Sequence, residues 1–133
     1  MKFSDLIIEP AVINEEAAAK LAAPFFKYIP EGEMIFTDKF QNLKDQEKII
    51  KYLIGRLGLS FIKKDKEIEV GVTSKEIAER LKISYSSVRV YITLFRRKGW
   101  VITDKKGKKN KITIQAIADL NKNNLEKSKN ECE

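Results

Sequence analysis

Hydrogen-bonding side chains of several kinds are concentrated between Ser84 and Gly99. An arginine guanidinium presents a planar fork of N–H donors, which fits the paired acceptors on the major-groove edge of guanine as well as phosphate oxygens. Hydroxyl groups bond to either partner. The candidate binding residues of this stretch are Tyr85, Ser86, Ser87, Arg89, Thr93, Arg96 and Arg97. Arg89 is the best candidate for contacting a base.

Structural roles compete with binding at several of these positions. Ser86 and Ser87 stand close to a predicted helix start, where serine also serves as a cap. Arg96 and Arg97 stand near the end of the same helix, where cations complement the helix dipole. Thr93 is a candidate for contact with a thymine methyl or a phosphate, and Tyr85 for contact with the backbone or for packing.

A second group of candidates consists of lysines in a segment patterned like a β-hairpin. Residues 100–103 and 111–114 alternate between apolar and polar types, and a polar stretch with a central glycine, residues 104–110, separates them. This pattern predicts two strands joined by a long basic tip. Lysines on such a tip would bind phosphates without reading sequence. These lysines are Lys105, Lys106, Lys108, Lys109 and Lys111.

The candidate binding residues between Ser84 and Gly99 are predicted to lie on the second of two helices joined by a tight turn. The first is predicted over 74–82, with Thr73 as N-cap and Glu76 completing a capping box. The second is predicted over 85–98, with Ser84 as N-cap and Gly99 as the stop. The predicted apolar stripes are Ile77, Ala78 and Leu81 on the first helix, and Val88, Ile92 and Phe95, with Tyr91 beside them, on the second. Trp100 is predicted to lie in the core at the root of the hairpin.

The positive charge of the chain is concentrated in the same region. The whole sequence has 26 basic and 19 acidic side chains, a net charge of +7. Residues 1–36 hold three lysines and six acidic residues, whereas residues 71–115 hold 12 basic and three acidic residues, a net charge of +9. Such an excess is expected of a nucleic-acid-binding surface. The alternative is a lysine-rich solvated surface, as in proteins from hot environments.

The flanking segments are predicted to be mainly helical. A helix capped by Asn14 should run to about Ala23. The aromatic segment that follows should either pack on its own chain or contact a second copy or another partner. A longer helix should begin at Asp38 or Leu43 and end before Gly58, with the apolar stripe Ile49, Ile50, Leu53, Ile54 and Leu57. Gly55 is either a defect in it or a point of close approach.

Two further elements flank the paired helices. Ile68 and Val70 indicate a short strand before Thr73. A last helix, capped by Thr113, should run from Ile114 to about Asn123 with the stripe Ile114, Ile117 and Ala118. It should pack on its own domain or pair with a second copy.

The predicted order of elements resembles the winged helix-turn-helix superfamily: a helix, a short strand, two helices joined by a tight turn, and a hairpin. The residues that carry the resemblance are VTSKEIAERLKISYSSVRVYITLFRRKGWV (72–101) and the hairpin through Ile114, and it covers roughly 42–120. It implies a mainly α fold with a small β-hairpin, to which the residue patterns add an N-terminal helical extension and a C-terminal helix. The predicted organisation is an extension over 1–37 for packing or dimerisation, a winged domain over 38–128 and a frayed tail over 129–133.

The composition argues against several other classes. There is no histidine, the commonest metal ligand and general base, and the single cysteine, Cys132, stands near the C-terminus. We therefore expect no metal, no cofactor and no enzyme activity, including at Glu67 and Glu69. No apolar run approaches the length of a membrane span, and the N-terminus lacks a secretory pattern, so a cytoplasmic protein is expected.

The sequence thus predicts a protein that binds double-stranded DNA with some sequence preference. By the resemblance, the helix over 85–98 would enter the major groove and the hairpin tip over 104–111 would follow the backbone. Transcriptional regulation by a homodimer is the leading role. The alternatives are a module that binds protein or RNA, with the N-terminal aromatic segment as a further partner site, and a replication, plasmid or viral accessory factor.

Overall fold

A computed structural model describes residues 15–30, 33–62 and 70–131, with side chains described up to residue 122. The predictions for Asn14, Glu67, Ile68, Glu69 and Cys132 fall outside these residues. The helices are α1 (Glu15–Ala22), α2 (Asp38–Gln41), α3 (Asp45–Ile62), α4 (Ser74–Leu81), α5 (Tyr85–Arg97) and α6 (Ile114–Glu131). The strands are β1 (Phe26–Tyr28), β2 (Met34–Phe36), β3 (Val72–Thr73), β4 (Val101–Thr103) and β5 (Lys109–Ile112).

The described residues form a mainly helical fold with two small antiparallel sheets. One core cluster contains side chains from α1, both sheets and the helices that follow them. Within the described ranges, no helix has the length and apolar character needed to cross a membrane.

Helix α3 supplies the centre of this core. All five residues of its predicted apolar stripe are buried. The expected end before Gly58 is wrong, because α3 continues to Ile62, and the shorter α2 precedes it instead of one continuous helix. Gly58 lies inside the helix, where the missing side chain makes room for another element: a Cβ there would lie 2.5 Å from the Tyr28 hydroxyl.

The N-terminal aromatic segment forms a hairpin that the sequence did not predict. Strands β1 and β2 pair with Phe26 opposite Phe36 and Tyr28 opposite Met34. Phe26 and Met34 are buried, and the Tyr28 hydroxyl donates to the Gly55 carbonyl at 2.8 Å. A Cβ at Gly55 would lie 2.5 Å from the Met34 methyl group, so Gly55 is a point of close approach. The described part of this segment therefore packs on its own chain.

Helices α4 and α5 form the predicted pair. Thr73 and Glu76 complete the capping box of α4, and the Ser84 side chain accepts from the Ser87 amide at the start of α5. Lys82 closes α4 in the left-handed conformation, with φ of 57°. The predicted stripes are buried on both helices. The helix boundaries agree with the sequence to within one residue.

A three-stranded sheet follows, in the order β3-β5-β4. The predicted strand near Val70 lies at β3, where Val72 pairs with Asn110. The hairpin tip is shorter than predicted, because β5 begins at Lys109. Asn110, expected in a polar tip, is 1% exposed, and its amide nitrogen donates to the Val72 carbonyl at 3.0 Å.

Helix α6 begins as predicted, with the Thr113 hydroxyl accepting from the Ala116 amide at 3.2 Å. It then runs to Glu131 rather than ending near Asn123. The predicted stripe is partly wrong, since Ala118 is exposed and Ala116 is buried beside Ile117. The buried face is rotated because α6 packs against α1, where the Asn121 amide donates to the Ala17 carbonyl at 3.2 Å.

Candidate nucleic-acid interface

Helix α5 has one buried face and one exposed face. Val88, Ile92 and Phe95 fix the buried face. At about 100° per residue, the direction opposite to them passes through Ser86, Val90 and Arg97, which are exposed. Leu94 lies beside these residues and is 40% exposed. We refer to the exposed residues Ser86, Val90, Thr93, Leu94 and Arg97 as the crown of α5.

A groove separates α5 from the β4–β5 hairpin. It encloses about 630 Å³ and continues to the start of α4. Four cationic side chains line it, and none of its described lining residues carries a carboxylate. The lining residues are Thr73, Ser74, Lys75, Tyr85, Arg89, Ile92, Thr93, Arg96, Thr103, Gly107, Lys108 and Asn110. A groove so lined has the chemistry to bind a polyanion.

Arg89 lies where the groove meets the crown. It lines the groove and also the shallow depression on the crown. Its guanidinium stands 5.7 Å from the centre of the Tyr85 ring, a cation–π contact across one helical turn. Both side chains are exposed. Tyr85 therefore orients the predicted base-contacting arginine while leaving its N–H donors accessible.

The hydroxyl residues of α5 divide into structural and accessible ones. The Ser84 hydroxyl donates to the Ser87 hydroxyl at 2.7 Å, so Ser87 belongs to the cap of the helix. Ser86 is exposed on the crown. The Thr93 hydroxyl donates to the Arg89 carbonyl at 2.9 Å, which uses its hydrogen but leaves its oxygen able to accept.

The C-terminal cations of α5 point in different directions. Arg96 lines the groove, and Arg97 lines the crown. The ammonium group of Lys98 stands 4.7 Å from the centre of the Trp100 ring. Trp100 is half-buried, stacks on Phe95 with ring centres 6.0 Å apart and donates to the Asp119 carboxylate at 2.8 Å. Trp100 therefore anchors the root of the hairpin.

The hairpin lysines are not equivalent. Four are exposed, and Lys108 lines the groove with φ of 53°, a conformation uncommon for residues other than glycine. Lys109 is half-buried, with its Cβ 3.0 Å from the position of a Cβ added at Gly71. The exposed ones are Lys105, Lys106, Lys108 and Lys111. The structure thus brings Lys108 to α5 and leaves Lys109 packed beside β3.

Asn110 holds the hairpin against α4. Its amide nitrogen donates to the Ser74 hydroxyl at 3.3 Å as well as to the Val72 carbonyl, and its amide oxygen accepts from the Thr103 hydroxyl at 2.7 Å. Neither this role of Asn110 nor the place of Lys75 in the groove is predicted from the sequence. Alternation along β5 was the available signal for Asn110, since it places residue 110 on the same face as Ile112.

The described residues contain no group of three or more His, Cys, Asp or Glu side chains arranged to hold a metal ion. Comparison of the chain with family models, curated proteins and solved structures finds no match in any of the three.

Proposed function

We propose that this chain is a winged helix-turn-helix protein that binds double-stranded DNA. In this proposal α5 enters the major groove, and the β4–β5 hairpin acts as the wing on the adjacent backbone. The observation that carries the proposal is the groove between them, whose described lining includes Lys75, Arg89, Arg96 and Lys108 and no carboxylate.

Electrostatics supports a polyanion as the ligand. Helix α5 contains three arginines and no acidic residue, and exposed lysines extend the positive surface along the hairpin. Each phosphate neutralised by such a cation releases counterions. With about six phosphates neutralised, the slope of log K against log salt concentration should be about −5.

The contacts available for reading bases are few. Arg89 is placed to bond guanine with two N–H groups, which contributes roughly 1–3 kcal/mol of discrimination. Ser86 and Thr93 add hydroxyl groups beside it, and α5 contains no Asn or Gln. The preference of one copy should therefore be short or degenerate. We propose that the chain forms a homodimer that binds a two-fold DNA site. Two copies on one site would increase the sequence preference, in keeping with a regulator of transcription.

A fluorescence titration with duplex DNA, duplex RNA and an acidic protein, at two salt concentrations, tests the proposal. Duplex DNA should bind most tightly, with the steepest salt dependence. Equal affinity for the RNA would favour the RNA-binding alternative, and preference for the acidic protein would favour the interaction module. A hydrodynamic mass measured with and without DNA tests the homodimer.

Two variants separate the recognition of bases from the binding of phosphates. Arg89→Ala should flatten the preference among DNA sequences, whereas Lys106→Gln with Lys108→Gln should weaken binding to all sequences alike. Lys20→Gln with Lys39→Gln is the matched control, because it removes the same charge from exposed positions on α1 and α2. If neither test variant changed DNA affinity relative to this control, the proposed interface would be wrong.

A further inference from the structure

Two large apolar side chains stand on the crown of α5 without cover. Val90 is 59% exposed and Leu94 is 40% exposed. They are four residues apart and therefore neighbours on one helix face, with Cβ atoms about 6 Å apart. The exposed part of an aliphatic side chain gains nothing from the hydrophobic effect on folding, and it would gain on contact with an apolar group. The pair therefore suits an occupant with apolar groups.

The surroundings of the pair restrict what that occupant can be. Val90 and Leu94 share a shallow depression of about 430 Å³ with two arginines and two hydroxyl residues, and no carboxylate of the described part of the chain lines it. The other lining residues are Ser86, Arg89, Thr93 and Arg97. A second copy of the same face would bring arginines against arginines, which is unfavourable. The charge pattern instead requires an anion that carries small apolar groups.

The DNA major groove meets both requirements. Thymine presents its 5-methyl group there, between two rows of phosphates, and aliphatic side chains contact that methyl. Successive base pairs are about 3.4 Å apart, so side chains about 6 Å apart span one to two steps. Val90 is also β-branched, which limits its rotamers in a helix and lowers the entropy lost on contact.

We propose that Val90 and Leu94 read thymine by packing against the 5-methyl groups of two thymines one or two steps apart. This inference rests on the proposed DNA-binding function and names the bases that its reading helix recognises. Arg89 and Arg97 flank the pair and bind the guanine edge or phosphates beside these thymines.

Replacing thymine with deoxyuridine tests the inference, because it removes only the methyl group and keeps base pairing. The probe is the duplex that the wild-type protein enriches from a pool of random duplexes, made once with thymine and once with deoxyuridine. Each methyl group corresponds to about a fourfold change in affinity. With two methyl groups lost, the wild-type Kd should therefore rise by roughly fifteenfold on the deoxyuridine duplex.

The double variant Val90→Ala, Leu94→Ala locates the effect on the protein. It should bind the thymine duplex about as weakly as the wild type binds the deoxyuridine duplex, and its Kd ratio between the two duplexes should fall close to one. Ile35→Ala is the matched control, since Ile35 is 49% exposed on β2, in the other sheet. This control should keep the full wild-type ratio.

The remaining outcomes contradict the inference in distinct ways. Thymine recognition is overturned, while DNA binding stands, if the enriched duplex lacks two thymines one or two steps apart. A wild-type Kd ratio near one between the two duplexes has the same meaning. An equal ratio in the wild type and the double variant assigns the methyl effect to DNA shape and overturns the role of Val90 and Leu94. Failure of the wild type to bind any duplex overturns the proposed function itself.

Discussion

The two β-hairpins of this chain have the same secondary structure and different surroundings. The hairpin β1–β2 lies on α3, where Phe26 and Met34 are buried and Tyr28 bonds to Gly55. The hairpin β4–β5 is buried at its root, through Val101 and Ile112, while its tip is polar and exposed.

Side-chain chemistry accounts for the difference. In β1–β2 the phenylalanine rings contact one another and the start of α2, with the Phe26 and Phe40 ring centres 5.1 Å apart. The guanidinium of Arg80, on α4, stands over the Phe36 ring, 5.0 Å from its centre. In β4–β5 exposed lysines take the place of aromatic residues. One hairpin thus completes the core, and the other is available to a ligand.

Truncating one apolar residue in each hairpin should show the largest difference between them, measured as the loss in free energy of unfolding. Phe26→Ala should lower the free energy of unfolding by about 3–5 kcal/mol, because Phe26 is buried in the core. Ile102→Ala should lower it by less than about 0.5 kcal/mol, because Ile102 is 65% exposed. Chemical denaturation monitored by circular dichroism gives both values. Similar losses in the two variants would mean that the hairpins do not differ in this way.

Asn110→Ala should be the next largest change. It leaves the buried Val72 carbonyl and the Thr103 hydroxyl without their partner, at a cost of about 1–3 kcal/mol. Because Asn110 holds the hairpin against α4, DNA affinity at constant temperature should fall as well. Asn121→Ala is the control: Asn121 also donates to backbone carbonyls but lies on α6, away from the groove. A larger loss of DNA affinity in this control would contradict the positioning role.

A double-mutant cycle tests how closely β1–β2 lies on α3. Gly58→Ala should destabilise the fold by about 1 kcal/mol, because the new Cβ meets the Tyr28 hydroxyl and this outweighs the gain in helix propensity. With Tyr28→Phe the 2.5 Å contact is gone and the ring Cζ, 3.1 Å from the new Cβ, remains, so Gly58→Ala should then cost less than about 0.5 kcal/mol. Denaturation of the four proteins measures the coupling, and additive effects would exclude the contact.

Alkaline pH should give the smallest effect. Burial raises the pKa of Tyr28 from 10.0 to about 12. The folded state therefore favours the neutral phenol, and this contribution to stability is complete below pH 10 and is lost as the pH rises toward 12. Thermal melts across this range should show a steeper loss in the wild type than in Tyr28→Phe. Parallel curves would show that Tyr28 makes no such contribution.

Much of the fold was predictable because its signals are local. Thr73, Glu76 and Ser84 cap their helices through neighbours within three residues, so sequence spacing was enough to place α4 and α5. The apolar spacing on α5 likewise indicated which residues would be exposed, including Arg89. The β4–β5 hairpin was predicted for the same reason.

The errors arise where distant residues decide the outcome. Gly58 has the pattern of a helix stop, but it lies inside α3, and the Tyr28 side chain, from another element, explains why a glycine stands there. Asn110 has the pattern of a turn residue, but Val72 and Ser74, far along the chain, provide its partners. Lys75 was missed as a groove residue for the same reason, since the spacing within α4 does not show that its start faces the hairpin.

The salt dependence of binding to duplex DNA, measured for the wild type and for Lys106→Gln, Lys108→Gln, tests the proposed DNA binding most directly. The wild-type slope of log K against log salt concentration should be about −5, and the variant slope should be shallower by about 1.8, because two phosphate contacts are lost. The control Lys20→Gln, Lys39→Gln should keep the wild-type slope. Equal slopes in all three proteins, or no salt dependence in the wild type, would contradict DNA binding through the groove and the basic hairpin.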